Sequence, residues 1–383
     1  MKKLISVMTG LSLAATLAMA DNVSIANDQL GDFLIAPLYV AQGDTCTRVT
    51  VYNTNTTHSV LAKVAFREQL ASNEVDLPIF LSPGDVWYGT VCNVGGDVVL
   101  TSTDDSNHPK VADILANGKS LTQQSIASGH KDVDFSKGYI EIYPIAEFDE
   151  GSTKKVDKQL LVQRWDKLIK GATPAKLVPT GVDGYSLSGN IAYETNDKYT
   201  AILPMVAFKG THDKTLRGSA IAYGNDTAPD VLLGTNKKFQ ILKLLQKHEA
   251  DFTYTNYGAN QYVVFTYPFG YSQDQVRKYQ VTVRDMEENK EHSETVIFSP
   301  TPKLSSKYMK NEVSVLSVED IISKTQKPDM YKNGQIQITD ITNVTDVQLG
   351  AGKKPSFIAT YVTIDKDVNN KDEVVNAAYI PTK

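Results

Sequence analysis

From residue 33 onward the chain breaks into short runs in which β-branched and aromatic residues recur, separated by clusters of Gly, Asn, Asp, Ser and Pro. Phe33 to Tyr39 is an apolar run closed by Gln42-Gly43-Asp44. Thr45 to Tyr52 alternates Thr, Val and Tyr with polar positions, and Asn53 to Thr57 is a turn cluster. Val60 to Phe66 follows, then a short run Leu77 to Leu81 that Pro78 should interrupt, the turn Ser82-Pro83-Gly84-Asp85, Val86 to Val91, and Val98 to Thr101 after Gly95-Gly96-Asp97. Short strands at this spacing predict an antiparallel sandwich. Strand patterns return at Ser186 to Tyr193 and Tyr199 to Phe208, which read as a hairpin. They continue at Gln261 to Tyr267, at Lys278 to Arg284 and Glu294 to Phe298 around a charged turn, and at Glu312 to Val318, Gln335 to Ile341 and Phe357 to Ile364.

Helical spacing is rarer. Lys154 to Lys170 places Val156, Leu160, Leu161, Trp165, Leu168 and Ile169 on one stripe and stops at Gly171. Lys237 to Ala250 is similar, and Asp113 to Ala127 is a weaker candidate. Each reads as a helix covering a sheet. The fold expected is mainly β: an antiparallel β-sandwich domain over residues 21–150, then a second β-rich domain over 151–383 with two or three covering helices. The boundary is placed at the acidic and small residues Phe148 to Thr153.

The first twenty residues do not belong to this pattern. Lys2 and Lys3 precede an uncharged apolar stretch from Leu4 to Leu17, and Ala18-Met19-Ala20 has the form of a cleavage site. That order reads as a secretory signal peptide, and no other stretch approaches the length of a membrane span. Export is therefore expected, to the periplasm, the outer surface or the medium. Of 383 residues, 41% are hydrophobic and 22% charged, and the formal charge is −5. Removing the signal takes away two lysines and no acid, so the mature chain stands near −7. A mildly acidic surface has no field to gather nucleic acid, and that role is excluded. The two cysteines, Cys46 and Cys92, survive signal cleavage, and in an oxidising compartment they are expected to form a disulfide.

No catalytic spacing stands out. The six histidines are scattered, and H-E-x-x-H and G-x-S-x-G are absent. Gly118-Lys119-Ser120 lacks the earlier glycine of a phosphate loop. Ser152-Thr153-Lys154-Lys155 has the S-x-x-K form, but Ser152 is also explained as a helix N-cap. Asp365, Asp367, Asn369 and Asp372 offer oxygens at intervals that suit a calcium loop, without its glycine or closing glutamate; the alternative is a polar hairpin turn. Tyr254, Tyr257, Tyr262 and Tyr267 cluster in a strand-rich stretch and read either as sheet packing or as a surface that grips a sugar or partner chain. Lys63, Arg67 and Glu68 alternate with Val64 and Phe66 and should face solvent, whereas Trp87, after a turn, should be buried.

The block from Phe33 to Trp87 carries a more specific signal: Leu34 to Tyr39, Thr50-Val51-Tyr52-Asn53-Thr54, Ala62-Lys63-Val64, Phe66-Arg67-Glu68, Ser72 to Asp76, Leu81-Ser82-Pro83 and Asp85-Val86-Trp87. It resembles a group of uncharacterised exported, β-rich bacterial proteins known only as cell-surface proteins. It departs from their pattern at Asp76-Leu77-Pro78. The resemblance implies export and a β-rich body and no enzymatic activity. The function expected is that of an exported structural or interaction protein of the envelope or cell surface, partnered by other surface proteins or by copies of itself. The alternative is a periplasmic or extracellular ligand-binding module for a sugar, a peptide or calcium. The polar stretch Asp21 to Gly31 could be a free arm.

Overall fold

The architecture comes from a computed structural model, which describes residues 23–151, 156–169, 187–195, 198–211, 233, 235–245, 249–254, 261–266, 268–269, 277–286, 291–298, 313–322, 332–340, 358–366 and 372–380. The segment read as a signal, residues 1–20, lies outside them. The chain is mainly β, built from antiparallel sheets.

The strands begin with β1 (Ser24–Ile25), β2 (Phe33–Val40), β3 (Thr45–Asn53), β4 (His58–Glu68), β5 (Glu74–Leu81), β6 (Val86–Val94), β7 (Asp97–Thr101), β8 (Lys119–Ser120) and β9 (Lys137–Asp149). Helices α1 (Pro109–Asn117) and α2 (Leu121–Ala127) flank β8. Gly118, at φ 93°, turns the chain between them, so the single helix expected there is two. After α3 (Lys158–Ile169) come β10 (Leu187–Thr195), β11 (Lys198–Pro204), β12 (Val206–Lys209) and α4 (Thr235–Leu244). The remainder is β13 (Glu249–Tyr254), β14 (Gln261–Thr266), β15 (Arg277–Asp285), β16 (Glu291–Phe298), β17 (Val313–Ser317), α5 (Val318–Ile322), β18 (Gly334–Asp340), β19 (Ile358–Lys366) and β20 (Asp372–Ile380).

The first sheet has the order β1-β12-β2-β9-β4-β5 and the second β11-β10-β3-β6-β7-β8. Sheet pairing crosses the boundary expected near residue 150: β10 lies on β3 in register from Leu187↔Asn53 to Thr195↔Thr45, and β12 lies on β2. The β10–β11 hairpin appears as expected. The chain then breaks at Met205 and passes to the first sheet as β12, so one continuous pattern in sequence serves two layers. The third and fourth sheets are β13-β18-β15-β16 and β17-β14-β19-β20.

The second sheet alternates cleanly. Val49, Val51, Trp87, Val91 and Leu100 are buried, and their neighbours along each strand are half-buried or exposed; in β10 the buried Ile191 is followed by a buried Ala192. The first sheet does not alternate: β2, β5 and nearly all of β4 and β9 are buried on both faces. One face meets the second sheet. The other is covered by α3, whose Trp165 packs 5.8 Å from Phe80, and by the later strands, where Phe269 stacks 5.6 Å from Phe33 and Thr266 donates to the Pro37 carbonyl. A middle layer buried on both sides must hide its polar side chains as well as its apolar ones. Lys63, Arg67 and Glu68 accordingly face the interior and not solvent. Pro78 does not break β5, because β5 is the edge strand and β4 supplies partners on one side only.

The stretch from residue 23 to 31 is not a free arm. Val23 donates to Gln240 Oε1, β1 pairs with β12, and Gly31 bridges Leu187. The helix expected to run to Ala250 ends at Leu244, and β13 begins at Glu249.

Candidate interaction surface

The outward residues of the second sheet form a flat face of known register. One row runs Tyr88, Thr50, Asn190, Pro204, and the next Thr101, Thr90, Arg48, Ala192, Ile202. Tyr52 lies opposite Val86 and Ser188, and Tyr199 lies opposite Glu194 beyond a bulge. Directly opposed side chains on such a face stand about 5 Å apart and diagonal ones about 7–8 Å. The three tyrosines and Arg48 therefore act as one patch. The Arg48 guanidinium sits 4.6 Å from the centre of the Tyr88 ring, and its Nη1 donates to Tyr199 Oη at 2.7 Å. Asn190 Nδ2 donates to Tyr52 Oη at 3.3 Å, and the Tyr88 hydroxyl lies 3.2 Å from Thr103 Oγ1. Tyr199 is 55% exposed and Ile202 62%. Partial burial and then the Glu194 carboxylate raise the Tyr199 phenol above its usual value, with Arg48 opposing them, so it stays a neutral hydroxyl.

Cys46 and Cys92 close the end of this face. Thr47 pairs with Val91, which sets the cysteines opposite each other one step along, and they form a disulfide with Cα atoms 4.4 Å apart. The bond staples β3 to β6 and so fixes the spacing of Arg48 and Tyr88. A disulfide is compatible with an exported chain. No helix among the described residues is long and apolar enough to cross a membrane.

The tyrosines singled out from the sequence are elsewhere. Tyr254 is buried, with its ring beside Gly334, and Tyr262 is half-buried on β14; Tyr257 and Tyr267 lie outside the described residues. Asp365 and Asp372 are on the paired strands β19 and β20, in register Asp365↔Glu373 and Lys366↔Asp372. Asp367 and Asn369 lie outside the described residues, and among the described residues no group of three or more acidic, His or Cys side chains is arranged for a metal. The strand alternation of Arg48, Thr50, Tyr52 and of Val86, Tyr88, Thr90 was the available signal for the open face. It needed β10 beside β3 to become a surface, and that pairing spans more than 130 residues.

A second polar cluster is buried in the first sheet. On the covered face of the first sheet, Lys63 Nζ is paired with Asp76 Oδ2. Arg67 Nε donates to Glu141 Oε2 at 2.8 Å. Arg67 Nη2 lies 2.6 Å from Glu74 Oε2, close enough for an ion pair though not aligned as a hydrogen bond. The Tyr143 hydroxyl donates to Glu141 Oε2 at 2.7 Å, and the Tyr139 hydroxyl to Ser72 Oγ at 2.8 Å. Burial alone would lower the Arg67 pKa, but Glu141 and Glu74 more than reverse it, so the guanidinium is firmly charged. Burial raises Asp76, with Lys63 holding it back. Glu68 serves the turn after β4: its carboxylate accepts from the backbone amides of Leu70, Ala71 and Asn73. Lys158 makes a third contact point, donating to the Phe80 carbonyl, Asp85 and Ser106 Oγ, which ties α3 to the rim of the sandwich.

No protein-family model matches the chain, and no curated protein matches it. Among solved structures it is similar to the partial N-terminal region of the Enterococcal surface protein, at 10% identity and a TM-score of 0.19, over 95% of this chain and 99% of that one. A TM-score that low carries no argument about fold or function. The resemblance over residues 33–87 therefore rests on those residues alone.

Proposed function

We propose that the protein is an exported structural or interaction protein of the envelope or cell surface that works by association, and that it associates through the open face of the second sheet. The observation that carries this reading is the Tyr52–Tyr88–Arg48–Tyr199 patch with exposed Ile202 beside it. Aromatic residues and arginine are the types enriched where proteins bind, because they bring large, stiff contact area at low entropic cost. The disulfide and the cross-strand hydrogen bonds hold that patch in place before binding. A protein surface is the fitting partner, and a second copy of this chain is the simplest case.

Sedimentation of the mature protein over a wide concentration range tests the reading. The wild type is expected to associate, and a Tyr199→Asp, Ile202→Asp variant, altered at exposed positions, is expected to stay monomeric with an unchanged melting temperature. A wild type that stays monomeric throughout and binds no envelope fraction refutes the proposal. A soluble polysaccharide held by the wild type and lost by Tyr88→Ala would instead assign the face to the ligand-binding alternative.

A further inference from the structure

The second sheet has a covalent tie between neighbouring strands, and the first sheet holds the reactants for another. Lys63 on β4 and Asp76 on β5 sit diagonally on the covered face, since Ala65 pairs with Asp76 and Lys63 with Pro78. Their side chains are only 2% and 4% exposed, and the ε-amine touches the carboxyl. Across Ala65, on the same face, stands Glu141, register-paired with Ala65 from the β9 side. Ala65 is small, so the floor between the two acids is open to the longer side chains around it. Asp76 Oδ1 and Glu141 Oε1 are both buried and have no hydrogen-bond partner among the described residues.

We infer that the Lys63 ε-amine and the Asp76 carboxyl condense into an intramolecular isopeptide bond that fastens the edge strand β5 to β4. The reaction needs no further reactant. The ammonium gives one proton to the carboxylate, which leaves a neutral amine and a neutral acid. The amine nitrogen adds to Cγ, forming the N–C bond, and loses its second surplus proton. The Cγ–O bond breaks, and the hydroxyl leaves with that proton as water. Glu141 is assigned as the relay for the second proton, because its Oε1 is not engaged in a hydrogen bond and the residue stands across Ala65 from Asp76 on that face. Lys63 and Asp76 lose two opposite charges together, so the net charge of the cluster is unchanged.

Three physical arguments favour the amide here. In water the separated ions are held by hydration, which opposes condensation; in the covered layer that hydration is gone, and a buried ion pair carries a desolvation cost that a neutral amide avoids. Two reactants fixed in contact also react as an intramolecular pair, with effective molarities that reach about 10⁵ M and above. Burial, moreover, raises the Asp76 pKa, which favours the protonated acid that the amine must attack. Arg67 remains charged against Glu74 and Glu141, so the rest of the cluster stays paired. The bond would give each sheet of the sandwich one tie between adjacent strands, Cys46–Cys92 in the second and Lys63–Asp76 in the first.

The test is the intact mass of the mature wild-type protein, denatured and with its disulfide reduced. The expected mass is lower than that of the sequence by one water, and fragment mapping should place the new bond between Lys63 and Asp76. Lys63→Arg and Asp76→Ala should each restore the full mass. In Glu141→Gln, the cross-linked fraction of protein collected at a fixed short time after synthesis should fall several-fold against the wild type; an unchanged fraction overturns the relay assigned to Glu141. A wild-type protein of full mass, whose Lys63 amine is labelled by an amine reagent after denaturation, overturns the bond itself. That result stands on the wild type alone and does not depend on any variant folding.

Discussion

Replacing Trp87 with alanine tests whether the two sheets are held by one packed core. The ring is fully buried between them, on the inner face of β6. It packs against Gly89, where a Cβ would come within 2.9 Å of the ring, so the contact leaves no slack. Its Nε1 donates to Asn107 Oδ1 at 2.9 Å, and Asn107 in turn bonds Ser102 and bridges Ile79 of the first sheet. Truncating a buried Trp costs about 3–5 kcal/mol through lost transfer energy and the cavity left behind. The stranded Asn107 oxygen adds about 1–3 kcal/mol unless water reaches it. The expected loss is therefore about 4–8 kcal/mol, near the whole stability of many domains. Trp87→Phe keeps most of the ring and loses the hydrogen bond, so it should cost about 1–3 kcal/mol. Urea unfolding with the disulfide intact measures both. A Trp87→Ala protein within about 1 kcal/mol of wild type, at the same m-value, would refute the packing argument.

Three further outcomes follow from the same geometry. Replacing both cysteines with serine should lower stability by about 3–4 kcal/mol, the chain-entropy value for a loop of 46 residues, and mass mapping that finds two free thiols in protein from an oxidising compartment contradicts the bond. Burial, with Asp32 close by, pushes Glu147 up to about 7. Because the folded value is raised, its contribution is fully present below about pH 4.5 and is lost as pH rises through 7; discounted for solvent screening near the strand end, it amounts to about 1–2 kcal/mol. Unfolding curves between pH 4.5 and 8 should show the decline, and a Glu147→Gln protein that declines equally points to another group. Gly138→Ala would set a Cβ 1.9 Å from the Arg67 carbonyl oxygen and 2.6 Å from the Tyr39 ring; overpacking against backbone should cost about 2–3 kcal/mol, and a neutral effect by thermal melting argues against the β4–β9 register.

Much of the strand content was legible because one-sided sheets advertise themselves. In β3 the apolar positions Val49 and Val51 alternate with Arg48, Thr50 and Tyr52, and the burial follows that alternation residue by residue. The β10–β11 and β15–β16 hairpins were legible for the same reason, and their turns are local. β9 was not picked out. Its run from Lys137 to Asp149 carries Glu141, Pro144 and Glu147 among aromatic and aliphatic residues, and it lies beside residues that look like a domain linker. It is the strand that pairs with both β2 and β4 at the centre of the first sheet. Pro144 is accommodated next to an irregularity in the pairing with β4, which spares the hydrogen bond a proline cannot make.

The charged residues of β4 show where such reading stops. A lysine or arginine on alternate strand positions points to solvent if the sheet has one covered face, and nothing within β4 says that a third layer lies over the other. That layer comes from α3, about a hundred residues later, and from Thr266 and Phe269, about two hundred residues later. Once it is in place, each buried cation needs an anion within reach. The anions are there in the hairpin partner and in β9: Asp76 for Lys63, Glu74 and Glu141 for Arg67. On a solvated face acidic residues at those positions of neighbouring strands would be optional, since an exposed pair is worth at most about 1 kcal/mol. Under a covering layer they are required, because an unpaired buried charge costs several kcal/mol. The complementarity between strands, more than the alternation within one, was thus the sequence signal for the hidden layer, and it becomes readable only when the register of β4 on β5 and β9 is known.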